Sequence, residues 1–265
     1  MAHNGESITP TAAKPRTVLA MLAMNAGRVV PLELLSEELW DRSPPKSAKT
    51  TIQTYVMQVR KLAECAIRRR PEGAGQAKDI LVTLPGGYLL NAETHNVDMW
   101  DFERLAEEGH RALETGNLQL AAAKFAGALD KWRGPVLMDV QLGRHLKVHV
   151  QRLQEGLLSV LQCRIDADLR LGRHHELIGE LMQLVQECPT HEGFYKSLII
   201  ALHRSGRRRE ALSAYRELHT TLTRELGLEP SLTLQRLHQS ILLADRETEE
   251  LVDTAYWLNT AMASK

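Results

Sequence analysis

At 265 residues the chain is too long for one small core and fits two domains of ordinary size. Its 43% hydrophobic and 25% charged residues are globular composition and exclude a fibrous or disordered protein. The longest purely apolar run, Val18–Met24, is seven residues, far short of the roughly 20 that a membrane-spanning helix needs. No basic stretch followed by an apolar one opens the chain, so a cytoplasmic protein without a membrane partner is expected. Three widely spaced cysteines, Cys65, Cys163 and Cys188, imply no disulfide framework.

The 33 basic and 33 acidic residues cancel only over the whole chain. Residues 1–95 hold 12 basic and 9 acidic side chains, net +3, which leaves the remainder at net −3. The excess is concentrated between Arg42 and Arg70, where Arg42, Lys46, Lys49, Arg60, Lys61, Arg68, Arg69 and Arg70 face one acid, Glu64. A compact basic segment in a neutral protein points to a polyanion, most simply nucleic acid; its plain alternative is a solvated helix face.

Pro15 followed by Val18, Leu19, Leu22 and Ala23 predicts a first helix ending near Asn25-Ala26-Gly27. A second runs from about Leu32 to Trp40 and is stopped by Asp41-Arg42-Ser43-Pro44-Pro45. From Ser47, a suitable N-cap, a third extends over 48–66 with Ile52, Val56, Val59 and Ala63 on one buried stripe. A loop at 71–75 leads to strands Ile80–Leu84 and Tyr88–Leu90 joined by Pro85-Gly86-Gly87. Helix, helix, basic helix and hairpin outline a winged helix-turn-helix.

Beyond Val97 the pattern is helical. Placing Gly116, Gly172 and Gly206 at one position aligns Ala121, Leu177 and Ala211, then Phe125, Leu181 and Tyr215. The second interval is 34 residues, the tetratricopeptide period, whereas the first is 56. Pro189 falls at the closing proline of the middle copy and Gly109 at the small residue of the first helix in the first copy; Arg133 and Thr223 replace the proline elsewhere. The expected fold class is therefore mainly α: a winged helix-turn-helix (1–95), a tetratricopeptide-like helical repeat domain (96–245) and a tail (246–265). The alternative for the second part is a plain helical bundle with chance spacing.

Several segments resemble a known family. Lys14-Pro15-Arg16, Leu19-Ala20, Ala26-Gly27-Arg28-Val29-Val30, Leu39-Trp40, Pro44-Pro45-Lys46-Ser47-Ala48, Gln53-Thr54-Tyr55-Val56, Val59-Arg60-Lys61 and Gly87-Tyr88-Leu89-Leu90 are similar to the OmpR-type winged helix of the Streptomyces antibiotic regulatory proteins. Ser205-Gly206-Arg207, Glu210-Ala211-Leu212 and Arg224-Glu225-Leu226-Gly227-Leu228-Glu229-Pro230-Ser231 with Leu234 and Leu237 resemble the bacterial transcriptional activation domain that follows it. The likeness covers about nine tenths of the chain. Members usually open with several short strands, whereas Met1–Pro10 supplies at most one around Ser7–Thr9; either that sheet is reduced or the native start lies upstream.

What the resemblance implies is a transcriptional activator of antibiotic or secondary-metabolite genes, with double-stranded promoter DNA, RNA polymerase holoenzyme and a second protomer side by side on direct repeats as partners. Opposite the buried stripe of the third helix, counting 100° per residue puts Thr50, Thr54, Met57 and Lys61, with Gln53 beside them, as base-reading candidates. Gln53 can pair with adenine, Thr54 and Met57 can pack on thymine methyls, and Lys61 can reach guanine or phosphate. Lys46, Lys49, Arg60, Arg68, Arg69 and Arg70 suit phosphate, as do Thr83 and the backbone amides of Gly86 and Gly87. The hairpin tip lacks the arginine often found there in OmpR-type domains, and Tyr88 is expected to bury its ring against the third helix. Asp41, Arg42 and Ser43 are the surface free to meet polymerase.

Other chemistry is thinly supported. His145 with His149, and Cys188 with His191, have metal-ligand spacing but no third ligand nearby, so no metal and no cofactor are expected. No Walker, G-x-S-x-G, H-E-x-x-H or G-x-G-x-x-G motif occurs, and the chain reads as a non-enzyme without catalytic residues. The competing class is a helical-repeat interaction module with only nonspecific nucleic-acid contact.

Overall fold

The computed structural model describes residues 2–3, 6–7, 9–68, 77–91 and 98–243. The loop expected at 71–75, Arg69, Arg70 and the 246–265 tail lie outside them. By contacts the chain divides into two compact units, Met1–Ala106 with Gly127–Ser159 and Glu107–Ala126 with Val160–Lys265.

The first unit opens with β1 (Ala2–His3) and β2 (Glu6–Ser7), an antiparallel pair with Ala2 opposite Ser7. The single strand expected around Ser7–Thr9 is thus replaced by two very short ones. α1 (Ala13–Met24) follows, with Pro15 in its first turn, where a missing N–H breaks no helical bond. Its residues Pro15 and Thr17–Leu22 are all buried. A helix apolar on every side must be enclosed, and α1 packs against α2 (Leu32–Trp40), α3 (Ala48–Arg68) and the hairpin.

Between α1 and α2 lies β3 (Val29–Pro31), which the sequence did not disclose. It pairs antiparallel with β5 (Gly87–Leu90), Val30 opposite Tyr88, and β5 pairs with β4 (Leu81–Leu84), Thr83 opposite Tyr88. The wing is therefore a three-stranded sheet in the order β3-β5-β4. Ile80, expected in the strand, instead ends a single helical turn, α4 (Ala77–Ile80). Val18, Met21, Leu22, Leu35, Ile52 and Leu81 are fully buried in one core with Val56, Val59 and Tyr88. That core also holds a residue from far along the chain, Leu146, with Trp100, Leu137, Val140 and Leu142 packed on it.

The remaining helices are α5 (Asp98–Glu114), α6 (Leu118–Leu129), α7 (Arg144–Arg170), α8 (His174–Glu187), α9 (Glu192–Arg204), α10 (Arg208–Leu226) and α11 (Leu232–Leu243). The repeat inferred from spacing has a structural counterpart in the second unit. Gly116, Gly172 and Gly206 adopt φ of +73°, +79° and +75°, the left-handed conformation that costs glycine least. In each copy the next amide donates to a carbonyl five residues back: Asn117 to Ala112, Arg173 to Asp168, Arg207 to Leu202. A helix begins two residues after each glycine, and Ala121, Leu177, Ala211, Phe125, Leu181 and Tyr215 are all buried. Gly109 is small for a reason: a Cβ there would meet the Phe125 ring at 2.6 Å. α9 is enclosed between α8 and α10, which accounts for the buried run Leu198–Leu202.

Among the described residues no helix is long and apolar enough to cross a membrane.

Candidate nucleic-acid interface

The third helix is polarised. Ile52, Val56, Val59 and Ala63 are at most 8% exposed, and the other side presents Thr50, Gln53, Thr54, Met57, Lys61 and Glu64 to solvent. All five proposed readers therefore share an open face. Met57 is 57% exposed, an apolar side chain left without cover on a polar helix face. The Thr54 hydroxyl donates to the Thr50 carbonyl at 3.0 Å, which leaves that side chain its methyl and the acceptor lone pairs of the oxygen to offer a base. Lys46 and Lys49 are exposed at the start of the helix, and Arg68 ends it.

Two of the phosphate candidates are occupied inside the unit. The Arg60 guanidinium donates from Nε and Nη2 to the Leu81 carbonyl at 3.0 and 2.6 Å, and from Nη2 to the Thr83 hydroxyl at 2.8 Å. It ties the wing to α3, and Thr83, although exposed, is the partner in that tie. Gly87 is buried, and a Cβ on it would stand 2.5 Å from the Val30 carbonyl. Its role is to let β3 reach β5. Gly86 stays exposed at the tip with φ +82°, its carbonyl accepting from the Leu32 amide at 2.9 Å. Tyr88 is 5% exposed and in the core as expected; burial raises its phenol pKa above the usual value, with Arg60 opposing.

The turn before α3 carries a conformational oddity. Asp41 has φ 52° and ψ −118°, and the Ser43 amide donates to the Trp40 carbonyl at 3.1 Å. This is a type II′ turn with its first corner, a glycine position by preference, filled by an exposed aspartate. Strain of this kind runs to about 1–3 kcal/mol. Asp41→Gly relieves it while loosening the unfolded chain, so unfolding by denaturant is expected to show a gain of roughly 0.5–2 kcal/mol. An unchanged or lowered stability would mean the turn is not strained.

Sequence reasoning missed Arg16, Thr17 and Glu38, which hold the winged helix to residues 139–146. No local signal marks them, because each bonds a partner more than a hundred positions away.

Comparison with known proteins agrees with this geometry. The model of the "Transcriptional regulatory protein, C terminal" domain matches residues 5–88, and that of the "Bacterial transcriptional activator domain" matches residues 97–242. The chain is 51% identical over 243 residues to Regulatory protein DnrI of Streptomyces peucetius, covering 92% of this chain and 89% of that one. It is 36% identical to Transcriptional regulator RedD of Streptomyces coelicolor, covering 97% and 70%. The solved structure of Mycobacterium tuberculosis EmbR, in complex with a low affinity phosphopeptide, superposes with a TM-score of 0.84 at 30% identity, over 98% of this chain and 67% of that one. With both domain models matched in order, and half its residues shared with DnrI along nearly the full length, the chain belongs to the Streptomyces antibiotic regulatory protein family of DNA-binding transcriptional regulators.

Proposed function

We propose that the chain is a sequence-specific activator of an antibiotic or secondary-metabolite gene cluster, acting in the cytoplasm on direct repeats near the promoter −35 element. The open face of α3 carries this reading: a bidentate amide (Gln53), two methyl-bearing side chains (Thr54, Met57) and a cation (Lys61) on one unobstructed side of a helix whose other side is core. Thr50 completes the reading face, and Lys46, Lys49 and the Arg68–Arg70 run supply phosphate contacts that give affinity without sequence information. Two protomers lie side by side on the repeats, and the exposed turn Asp41-Arg42-Ser43 meets RNA polymerase holoenzyme. Residues 1–95 bind DNA and residues 96–245 supply protein contacts.

The test is a footprint on promoters neighbouring the gene itself, paired with transcription by purified polymerase holoenzyme. Protection of two adjacent repeats with stimulated transcription is expected. Equal affinity for random DNA and for the promoter would instead favour a helical-repeat interaction module with nonspecific nucleic-acid contact.

A further inference from the structure

Within the first unit, α2 and the beginning of α7 are joined through one buried carboxylate. Glu38 is 6% exposed although Glu37 beside it in the chain is exposed. Its Oε1 accepts from the Gly143 amide at 2.6 Å, and its Oε2 accepts from the amides of His145 at 2.7 Å and Leu146 at 3.3 Å. The first amides of any helix lack partners within it and carry partial positive charge; here a residue 105 positions earlier satisfies them. The approach is so close that a Cβ on Gly143 would lie 2.3 Å from the Glu38 carbonyl oxygen, so the position accepts only glycine without a shift of backbone.

Further bonds surround this one. His145 Nε2 stands 3.0 Å from Glu37 Oε2. Arg16 Nη1 donates to the Asp139 carbonyl at 2.7 Å and to its carboxylate at 3.1 Å, and the Thr17 hydroxyl donates to the Gln141 carbonyl at 3.1 Å. None of these residues lies on the exposed face of α3. Two helices of the DNA-reading fold, α1 and α2, are thereby fixed to the segment leading into α7, which runs unbroken from Arg144 to Arg170.

We propose that Glu38 is a positioning residue that couples the winged helix to α7, so that activation of transcription, but not DNA binding, depends on it. The coupling role rests on the activator reading given above. The experiment uses the full-length chain and Glu38→Gln, which keeps the size and one acceptor oxygen but turns an NH2 group toward amides that need an acceptor. Three quantities are measured: affinity for a repeat-containing duplex, transcription with purified polymerase, and hydrogen exchange of the amides of residues 143, 145 and 146.

The expected result is affinity within about threefold of wild type, transcription lowered roughly tenfold or more, and faster exchange confined to those amides. Parallel loss of binding and transcription would overturn the proposal, as would unchanged exchange, or full transcription despite faster exchange. A wild-type chain that binds its repeats and stimulates nothing would overturn the activator reading itself, and the coupling role with it. Should Glu38→Gln fold poorly, the double change Glu37→Ala with His145→Ala removes an exposed contact of the same latch. It must give the same separation of binding from transcription, in smaller degree, for the proposal to stand.

Discussion

A chain ending at residue 95 is expected to melt ~10 °C or more below the winged helix in the full-length protein, and to bind its operator more weakly. The reason is the makeup of the core. Leu146 is fully buried in the same cluster as Val18, Leu22 and Leu35, and Trp100, Leu137, Val140 and Leu142 pack against that cluster. Losing one buried leucine side chain costs ~2–5 kcal/mol, a large share of the total for a domain of this size. Truncation removes all five residues. Leu146→Ala in the full chain isolates the contribution of the one fully buried side chain among the five, and thermal melts of the two proteins beside wild type provide the check. A 1–95 fragment as stable as the intact domain would show that the distal segment only rests on a core already complete.

The elements legible in the sequence are those set by neighbours in the chain. Pro31 before Leu32, and the Asp41–Pro45 cluster after Trp40, bound α2 where the structure bounds it. The stripe Ile52, Val56, Val59 and Ala63 orients α3 correctly because a 3.6-residue period leaves only one apolar side to bury. The aligned glycines 116, 172 and 206 give the helix turns, since their conformation disfavours other residues.

What escaped detection depends on distant partners. β3 is three residues long, ends in proline, and is a strand only because β5 pairs with it across more than fifty positions. Gly87 resembles one more flexible turn residue until the Val30 backbone is found against it. Arg60 sits in a basic run and has a phosphate-binding chemistry, yet its guanidinium lies within reach of a strand edge that no periodicity predicts. Among the candidate readers, exposure follows from helix geometry; which base each would meet depends on the duplex.

The second prediction concerns that reading face, where Gln53→Ala and Lys61→Ala are expected to fail differently. Gln53 is exposed in the second turn of α3, four residues before Met57. If its amide pairs with adenine, its loss costs on the order of 1–3 kcal/mol on the operator and relaxes preference at one position of each repeat, with little effect on random DNA. Lys61, two turns further on and also exposed, suits a phosphate. Its loss is expected to weaken binding to every sequence alike and to reduce the salt dependence by about one released ion.

The most direct measurement of sequence reading by α3 is the affinity of wild type and both variants for an operator duplex and for a randomised duplex, across a series of salt concentrations. The predicted result is a loss confined to the operator for Gln53→Ala, and an equal loss on both duplexes with a shallower salt slope for Lys61→Ala. An equal loss on both duplexes for Gln53→Ala would contradict the docking of α3 by the face opposite Ile52, Val56, Val59 and Ala63.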